Sequence, residues 1–418
     1  MEPFHPIEAM AAARHEFGEH GGVNMSIESS TTFTVMNPEA MPALFSGARG
    51  PEQGCYLYGR HFNPTVYALG KILAAMEDTE AAYCTASGMG AISATILQLC
   101  GSGDHCVATR AVYGGTFALL HDFLPVHAGI RTTFVDVANL AAVEAAFEAR
   151  TRVLYVEAVS NPTLVVADLP RLAEIAHRHG AALVVDNTFT PLVVTPSRLG
   201  ADVVVHSMTK FVNGASDVIA GAICAGHDFL LQLMDVNGGA LMLLGPTMDP
   251  HVAFQISMRL PHLGLRMKEH SHRAQLFAER LEALGVPVVY PGLPSHPQHD
   301  LLGRIGNTEF GAGGILGLDA GTRDRANQLM RRLQNEERFG YVAVSLGYFD
   351  TLLTCSAAST SSEIPEADQK AAGIPPGYVR VAIGYTGGVE ERWQQLERAL
   401  RVVGIVGGTR APRERIAA

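Results

Sequence analysis

An acidic residue and a lysine stand at the ends of two neighbouring apolar runs. The first run, Ala182-Leu183-Val184-Val185, closes on Asp186-Asn187-Thr188-Phe189. The second, Val203-Val204-Val205-His206, closes on Ser207-Met208-Thr209-Lys210. Apolar runs of this length, without polar alternation, read as strands of a parallel sheet buried on both faces, and such sheets bind ligands beyond their carboxyl ends. Asp186 and Lys210 would then face one crevice. A lysine amine opposite a carboxylate suits pyridoxal 5'-phosphate, whose aldehyde takes an amine as a Schiff base and whose ring nitrogen needs a carboxylate to stay protonated. Ser207 and Thr209 flank the lysine and offer hydroxyls to a phosphate. Each residue alone reads more simply as an ordinary strand-end Asp or a surface Lys, and the set of features together reverses that reading.

A second signal is Thr85-Ala86-Ser87-Gly88-Met89-Gly90-Ala91, which follows an apolar run and opens a helical pattern. Small residues there let backbone N–H groups approach an anion at the positive end of the helix. Gly88-x-Gly90 half-matches a dinucleotide fingerprint, but Ser93 takes the place of the third glycine. Tyr113, in Val112-Tyr113-Gly114-Gly115-Thr116, could stack on a flat cofactor or fill a core. Asn161, in Ser160-Asn161-Pro162, offers an amide near the sheet edge or forms a plain turn. Arg380 interrupts an apolar strand pattern, which marks a paired arginine or an anion site. Tyr58 and Arg60 lie in an irregular segment where solvation is the simplest role.

The chain that carries these residues has 418 of them, 47% apolar and 17% charged, with a formal charge of −10. Such a composition excludes a disordered chain. It has no basic run, so a nucleic-acid partner is not expected. No stretch of about 18 apolar residues is present, so no membrane partner is expected, and residues 1–20 do not read as a secretory signal. Six cysteines without a C-x-x-C pair point to reduced thiols of a cytoplasmic protein, with Cys100 and Cys106 close together in a loop. No metal site is expected.

Strands are expected at residues 81–84, 105–108, 131–135, 153–157, 182–185, 203–206 and 219–224, with helices at 87–99, 113–123, 139–149 and 168–179 between them. The organisation predicted is an N-terminal arm over 1–64, a large α/β domain over 65–255 and a smaller C-terminal α+β domain over 256–418. In the last, one long amphipathic stretch covers 253–284, and short strands fall at 286–290, 314–318 and 378–383 before a helix at 389–403. Pro287 makes the first of these strands an edge strand at best.

Taken in order, Tyr56-Leu57-Tyr58-Gly59-Arg60 with Asn63-Pro64-Thr65, Ser87-Gly88-Met89, Tyr113-Gly114-Gly115-Thr116, Ser160-Asn161-Pro162, Asp186-Asn187-Thr188 and Ser207-x-Thr209-Lys210 form a recognisable set. The chain resembles the Cys/Met metabolism family of pyridoxal-phosphate enzymes, which includes cystathionine γ-synthases, cystathionine γ-lyases and methionine γ-lyases. The resemblance implies the aspartate aminotransferase-like fold (fold type I). It implies that Lys210 carries the cofactor and shuttles protons, that Asp186 pairs with the ring nitrogen, and that Gly88, Met89, Ser207 and Thr209 hold the phosphate. Tyr58 and Arg60 would reach that phosphate from a neighbouring subunit, in a homotetramer built from dimers that share active sites. Tyr113 would stack on the ring and relay a proton to the leaving group, Asn161 would contact the ring oxygen, and Ser345 and Arg380 would bind the substrate α-carboxylate.

Departures from the family pattern fall on the substrate side. Gly115 stands where methionine γ-lyases carry Cys, Ala215 where many members have His, Ser359-Thr360-Ser361-Ser362 for a His-Ser pairing, and Tyr385-Thr386-Gly387 for Leu-Glu-Asp. Arg259-Leu260-Pro261-His262 replaces the common Arg-Gly-Leu-Lys. The activity expected is a γ-lyase on a methionine-, cystathionine- or canavanine-type amino acid, with Glu363 or Asp235 as candidate partners for a guanidinium. The alternative is γ-replacement, by a cystathionine γ-synthase or an O-acylhomoserine sulfhydrylase. A nicotinamide oxidoreductase would need the missing glycine, and a non-catalytic protein on this fold would not need Lys210, Asp186 and Tyr113 together.

Overall fold

A computed structural model describes residues 4–14, 18–355, 369 and 372–406. Seven strands form the larger sheet: β1 (Ala81–Thr85), β2 (His105–Thr109), β3 (Arg131–Val135), β4 (Thr151–Glu157), β5 (Ala182–Asp186), β6 (Val203–Ser207) and β7 (Gly221–Ala225). Their order is β1-β7-β6-β5-β4-β2-β3. All pairings from β6 to β3 are parallel, and β7 lies antiparallel between β6 and β1. The sheet is thus mostly parallel, as the unalternating apolar runs predict. Strand side chains alternate, so Leu183, Val185 and Val204 enter one core while Val184, Val203 and Val205 enter the other. Helix Pro64–Glu77 covers the first face with Leu69 and Leu73, and helix Gly88–Leu99 covers the second with Ile92 and Ile96.

The smaller sheet contains β8 (Val288–Val289), β9 (Ile315–Asp319), β10 (Gly340–Val342), β11 (Thr351–Cys355) and β12 (Tyr378–Ala382) in the order β10-β11-β12-β9-β8. Pro287 leaves β8 with two residues at the sheet edge. The amphipathic stretch expected as one unit is two helices, Pro250–Arg259 and Leu263–Ala283, joined by a tight turn at Leu260–His262. Pro261 explains the break, because it has no N–H to continue the ladder. The helix expected at 113–123 divides likewise into Gly114–Ala118 and a π-helical turn at Leu119–Phe123, ahead of Pro125. The helix expected at 139–149 closes at Ala145.

Before β1 the chain is mostly irregular, but it is tied down. The Asn63 side chain donates to the Glu28 carbonyl at 2.7 Å, and the Glu28 N–H donates to Thr65 Oγ1 at 2.9 Å. Asn63 also caps helix Pro64–Glu77, so one side chain fixes both the helix start and the arm. Cys100 and Cys106 lie with sulfurs 3.5 Å apart, though not in a loop: Cys100 ends a helix and Cys106 sits in β2. Both are buried, and all six cysteines are free thiols. No helix among the described residues is long and apolar enough to cross a membrane.

Candidate active site

Lys210 follows β6 in a turn, and its amine is drawn out of water. Nζ donates to Ser345 Oγ at 3.1 Å. Burial, helped by the positive charge of Arg380, lowers the lysine pKa to about 8. Asp186 ends β5, 9% exposed, and Tyr155 OH donates to its Oδ2 at 3.2 Å while the Thr188 N–H donates to Oδ1 at 2.9 Å. Desolvation pushes the Asp186 carboxyl up, and those donors and the His206 charge pull it back.

Two carboxylates meet in register here, Glu157 on β4 beside Asp186 on β5. Glu157 Oε1 accepts from the Tyr113 N–H at 2.8 Å and Oε2 from the Asn161 N–H at 2.6 Å. Burial and the nearby Asp186 charge push Glu157 well above the carboxylate range. Glu157 thus fixes the two loops that carry Tyr113 and Asn161. The sequence reading passed over it because a single Glu at a strand end looks like any other; its place directly before Ser160-Asn161-Pro162 was the available signal.

Arg380 on β12 is 2% exposed. Nη1 donates to Asn161 Oδ1 at 2.9 Å and Nη2 to the Ser345 carbonyl at 3.0 Å, while Nε is buried without a partner among the described residues. Burial lowers its pKa to about 10. Tyr113 is 41% exposed, and its ring lies against Gly115, where a Cβ would come within 2.7 Å of the ring edge.

Ser87 caps helix Gly88–Leu99, accepting from the Gly90 N–H at 3.0 Å. The N–H groups of Gly88 and Met89 have no acceptor within the helix. A Cβ at Gly88 would come within 2.7 Å of Ser207 Cβ, so only glycine lets the helix start close on Ser207. The Thr209 hydroxyl is engaged with Ala220, donating to its carbonyl and accepting from its N–H. Behind the turn, Arg266 donates to the carbonyls of Phe211 and Val212, and Arg259 pairs with both oxygens of Asp217 at 2.7 Å.

The structure therefore brings together Lys210, Asp186, Asn161, Ser345, Arg380, Tyr113, Ser207, Gly88 and Met89. Among the described residues, Tyr58 and Arg60 make no hydrogen bond to this cluster: both are exposed, and Arg60 donates to the Met242 carbonyl at 2.8 Å. Asp235 is not near it either, since its carboxylate caps an exposed turn at Asn237 and Gly238. Ser359 to Ser362 and Glu363 lie outside the described residues. The groups present suit pyridoxal phosphate: a desolvated amine after one strand, a carboxylate at the end of the neighbouring one, the first N–H groups of a helix for a phosphate, and an arginine nitrogen buried without a partner among the described residues.

The family model for Cys/Met metabolism PLP-dependent enzymes matches residues 8–401. The chain belongs to this family. It is accordingly a pyridoxal-phosphate-dependent enzyme with the fold of its class. Among similar proteins of the family, methionine gamma-lyase of Arabidopsis thaliana is 56% identical over 395 residues, covering 94% of this chain and 90% of its own. O-succinylhomoserine sulfhydrylase of Pseudomonas aeruginosa is 36% identical, covering 88% of this chain and 87% of its own. A Campylobacter jejuni chain provisionally named O-acetylhomoserine (thiol)-lyase, solved with a pyridoxyl-lysine phosphate, superposes with a TM-score of 0.86 at 25% identity, over 95% of this chain and 100% of that one.

Proposed function

We propose that the enzyme is a γ-lyase that cleaves the bond between Cγ and a sulfur or oxygen in an amino acid derived from homoserine or homocysteine. The observation that carries this is the Lys210 amine, desolvated to a pKa of about 8 and held 3.1 Å from Ser345 beside Arg380. Breaking a bond at Cγ requires a proton to leave Cα and then another to leave Cβ, so one mobile base must serve both carbons. A lysine amine on a flexible stem, with its pKa near neutrality, can do so. Bound pyridoxal phosphate supplies the aldehyde that takes up the amino group and the ring that accepts the electron pair left at Cα.

The surrounding residues divide the remaining work. Arg380 and Ser345 bind the substrate α-carboxylate, and Arg380 Nε has no partner among the described residues. Asn161, oriented by Arg380, would contact the ring oxygen. Asp186 would pair with the ring nitrogen. Tyr113 would stack on the ring and pass a proton to the leaving atom. Gly88 and Met89 N–H groups with the Ser207 and Thr209 hydroxyls hold the phosphate, the Thr209 O–H turning to it from the Ala220 carbonyl while its oxygen still accepts from the Ala220 N–H.

Tyr58 and Arg60 of the partner subunit complete that phosphate site, in a homotetramer of active-site-sharing dimers. Exposed Val23, Met36 and Phe45 in the arm support burial against a second copy. The arm over 1–64, the large domain over 65–255 and the smaller one over 256–418 are the units of this arrangement, in a cytoplasmic enzyme. The relative at 56% identity is named a lyase and the sulfhydrylase stands at 36%, which supports elimination over replacement. The test is release of 2-oxobutyrate or homoserine from methionine, cystathionine, homocysteine, O-acetylhomoserine and canavanine, with and without added cysteine. Release from one or more without cysteine supports the lyase; inertness toward all five, with cofactor bound, overturns it.

A further inference from the structure

Directly behind the carboxyl edge of the larger sheet lies a buried polar cluster that the lysine chemistry does not use. Glu77 ends helix Pro64–Glu77 and is 1% exposed, as is His206, while Asn187 is fully buried. Glu77 Oε1 lies 2.6 Å from His206 Nε2 and accepts from Asn187 Nδ2 at 2.9 Å. Asn187 is itself held, donating to the Val194 carbonyl at 2.9 Å and accepting from Thr190 Oγ1 at 2.7 Å.

Alternation along the strands places these groups. Asn187 and His206 turn toward the helix, while their neighbours Asp186 and Ser207 turn to the other face. One carboxylate oxygen thus ties the end of β5 to the end of β6 immediately behind the two residues assigned to the cofactor ring and phosphate. His206 also acts on Asp186 by charge, favouring its ionised form against desolvation.

Stability does not explain this cluster. Burying a carboxylate costs several kcal/mol, and well-packed apolar residues in place of a buried ion pair are often as stable or more so. Glu77 Oε2 and His206 Nδ1 are buried without partners among the described residues, which adds to the cost. Position and charge at Asp186 are what the cluster can supply in return.

We propose that Glu77, His206 and Asn187 are positioning residues for Asp186: Glu77 anchors His206 and Asn187 behind the strand ends, and together they hold the Asp186 carboxylate in place opposite the cofactor's ring nitrogen. The proposal rests on the assignment of Asp186 to that nitrogen.

The test uses full-length holoenzyme loaded with pyridoxal phosphate labelled with 15N in the ring, for the wild type and for Glu77→Gln, His206→Asn, the double variant, Glu77→Asp and Asp186→Asn. The 15N chemical shift reports whether the ring nitrogen is protonated, and cofactor affinity is measured by titrating the apoenzyme. The wild type is expected to show a protonated nitrogen. Glu77→Gln and His206→Asn each move the shift toward the unprotonated value and weaken cofactor affinity by about tenfold or more, the size typical of losing a supporting residue behind a ligand. The double variant is no worse than His206→Asn, because the two act as a unit, and Glu77→Asp recovers part of the shift.

An unchanged 15N shift in both single variants, or fully additive effects in the double variant, overturns the proposal. Should Glu77→Gln fail to fold, Asn187→Ser releases β5 from Glu77 and is judged by the same shift. An unprotonated nitrogen in the wild type, or no change in Asp186→Asn, instead overturns the assignment of Asp186 itself.

Discussion

Lys210 Nζ reaches Ser345 Oγ across the gap between the two sheets, at 3.1 Å. The circuit continues from the Ser345 carbonyl to Arg380 Nη2 at 3.0 Å, and from Arg380 Nη1 back to Asn161 on the larger-sheet side at 2.9 Å. Residues remote in sequence therefore share one desolvated pocket, and the arginine's charge is set where it acts on the lysine amine.

That arrangement fixes a pH dependence. Only the neutral amine attacks an aldehyde, so capture of pyridoxal phosphate by the apoenzyme should rise with pH around a midpoint near 8, against an ordinary lysine value of 10.5. The same depression means that burying Lys210 costs stability below pH 8, a cost relieved as pH rises toward 10.5. Arg380→Gln removes a neighbouring positive charge and should move the midpoint upward. Stopped-flow absorbance across pH measures both; a wild-type midpoint at the ordinary lysine value contradicts the burial argument.

Tyr113 packs so closely on Gly115 that no side chain fits there without moving the ring. Gly115→Cys should displace the ring and lower kcat by about tenfold or more, the lower range of what a positioned proton donor contributes. Thermal stability should hardly change, since the site is open to solvent on the Tyr113 side. Steady-state kinetics beside a melting curve separate these effects.

Glu157 accepts from the buried N–H of Asn161 and the part-buried N–H of Tyr113. Glu157→Ala leaves both unpaired and should cost at least about 2 kcal/mol of stability, at about 1–3 kcal/mol for each orphaned donor. Glu157→Gln keeps one carbonyl acceptor and should cost less. Urea denaturation of the apoenzyme ranks the two, and equal losses would argue that the carboxylate does not hold these loops.

Arg259 holds Asp217 at a pKa of about 2 through paired hydrogen bonds. A depressed carboxylate pKa stabilises above about pH 4 and loses that contribution as pH falls toward 2. Asp217 is 48% exposed, so solvent screens the pair and the effect of Asp217→Asn at pH 7 should stay under about 1 kcal/mol. Urea midpoints of the two proteins should converge as the pH is lowered through this window.

The larger sheet was legible because seven apolar runs alternate with helical segments, and a buried parallel strand leaves little choice of residue. Its chemistry was legible for the same reason: Asp186 and Lys210 stand at strand ends, where the chain leaves the core. The smaller sheet was less so. β10 has only three residues and β11, Thr351–Cys355, has no turn signals that separate it from a loop. Pro261 divided a helix whose apolar periodicity continues across it. Glu157 acts on Tyr113 across 44 positions and Glu77 on His206 across 129, and hydrogen bonds between residues so distant in the chain leave no local pattern.

The covalent site decides the account. Borohydride reduction of the cofactor-loaded enzyme, followed by proteolysis and mass spectrometry, should put the pyridoxyl phosphate mass on the peptide containing Lys210, and Lys210→Ala should abolish it. A label on any other lysine, or no label in enzyme saturated with pyridoxal phosphate, contradicts the assignment.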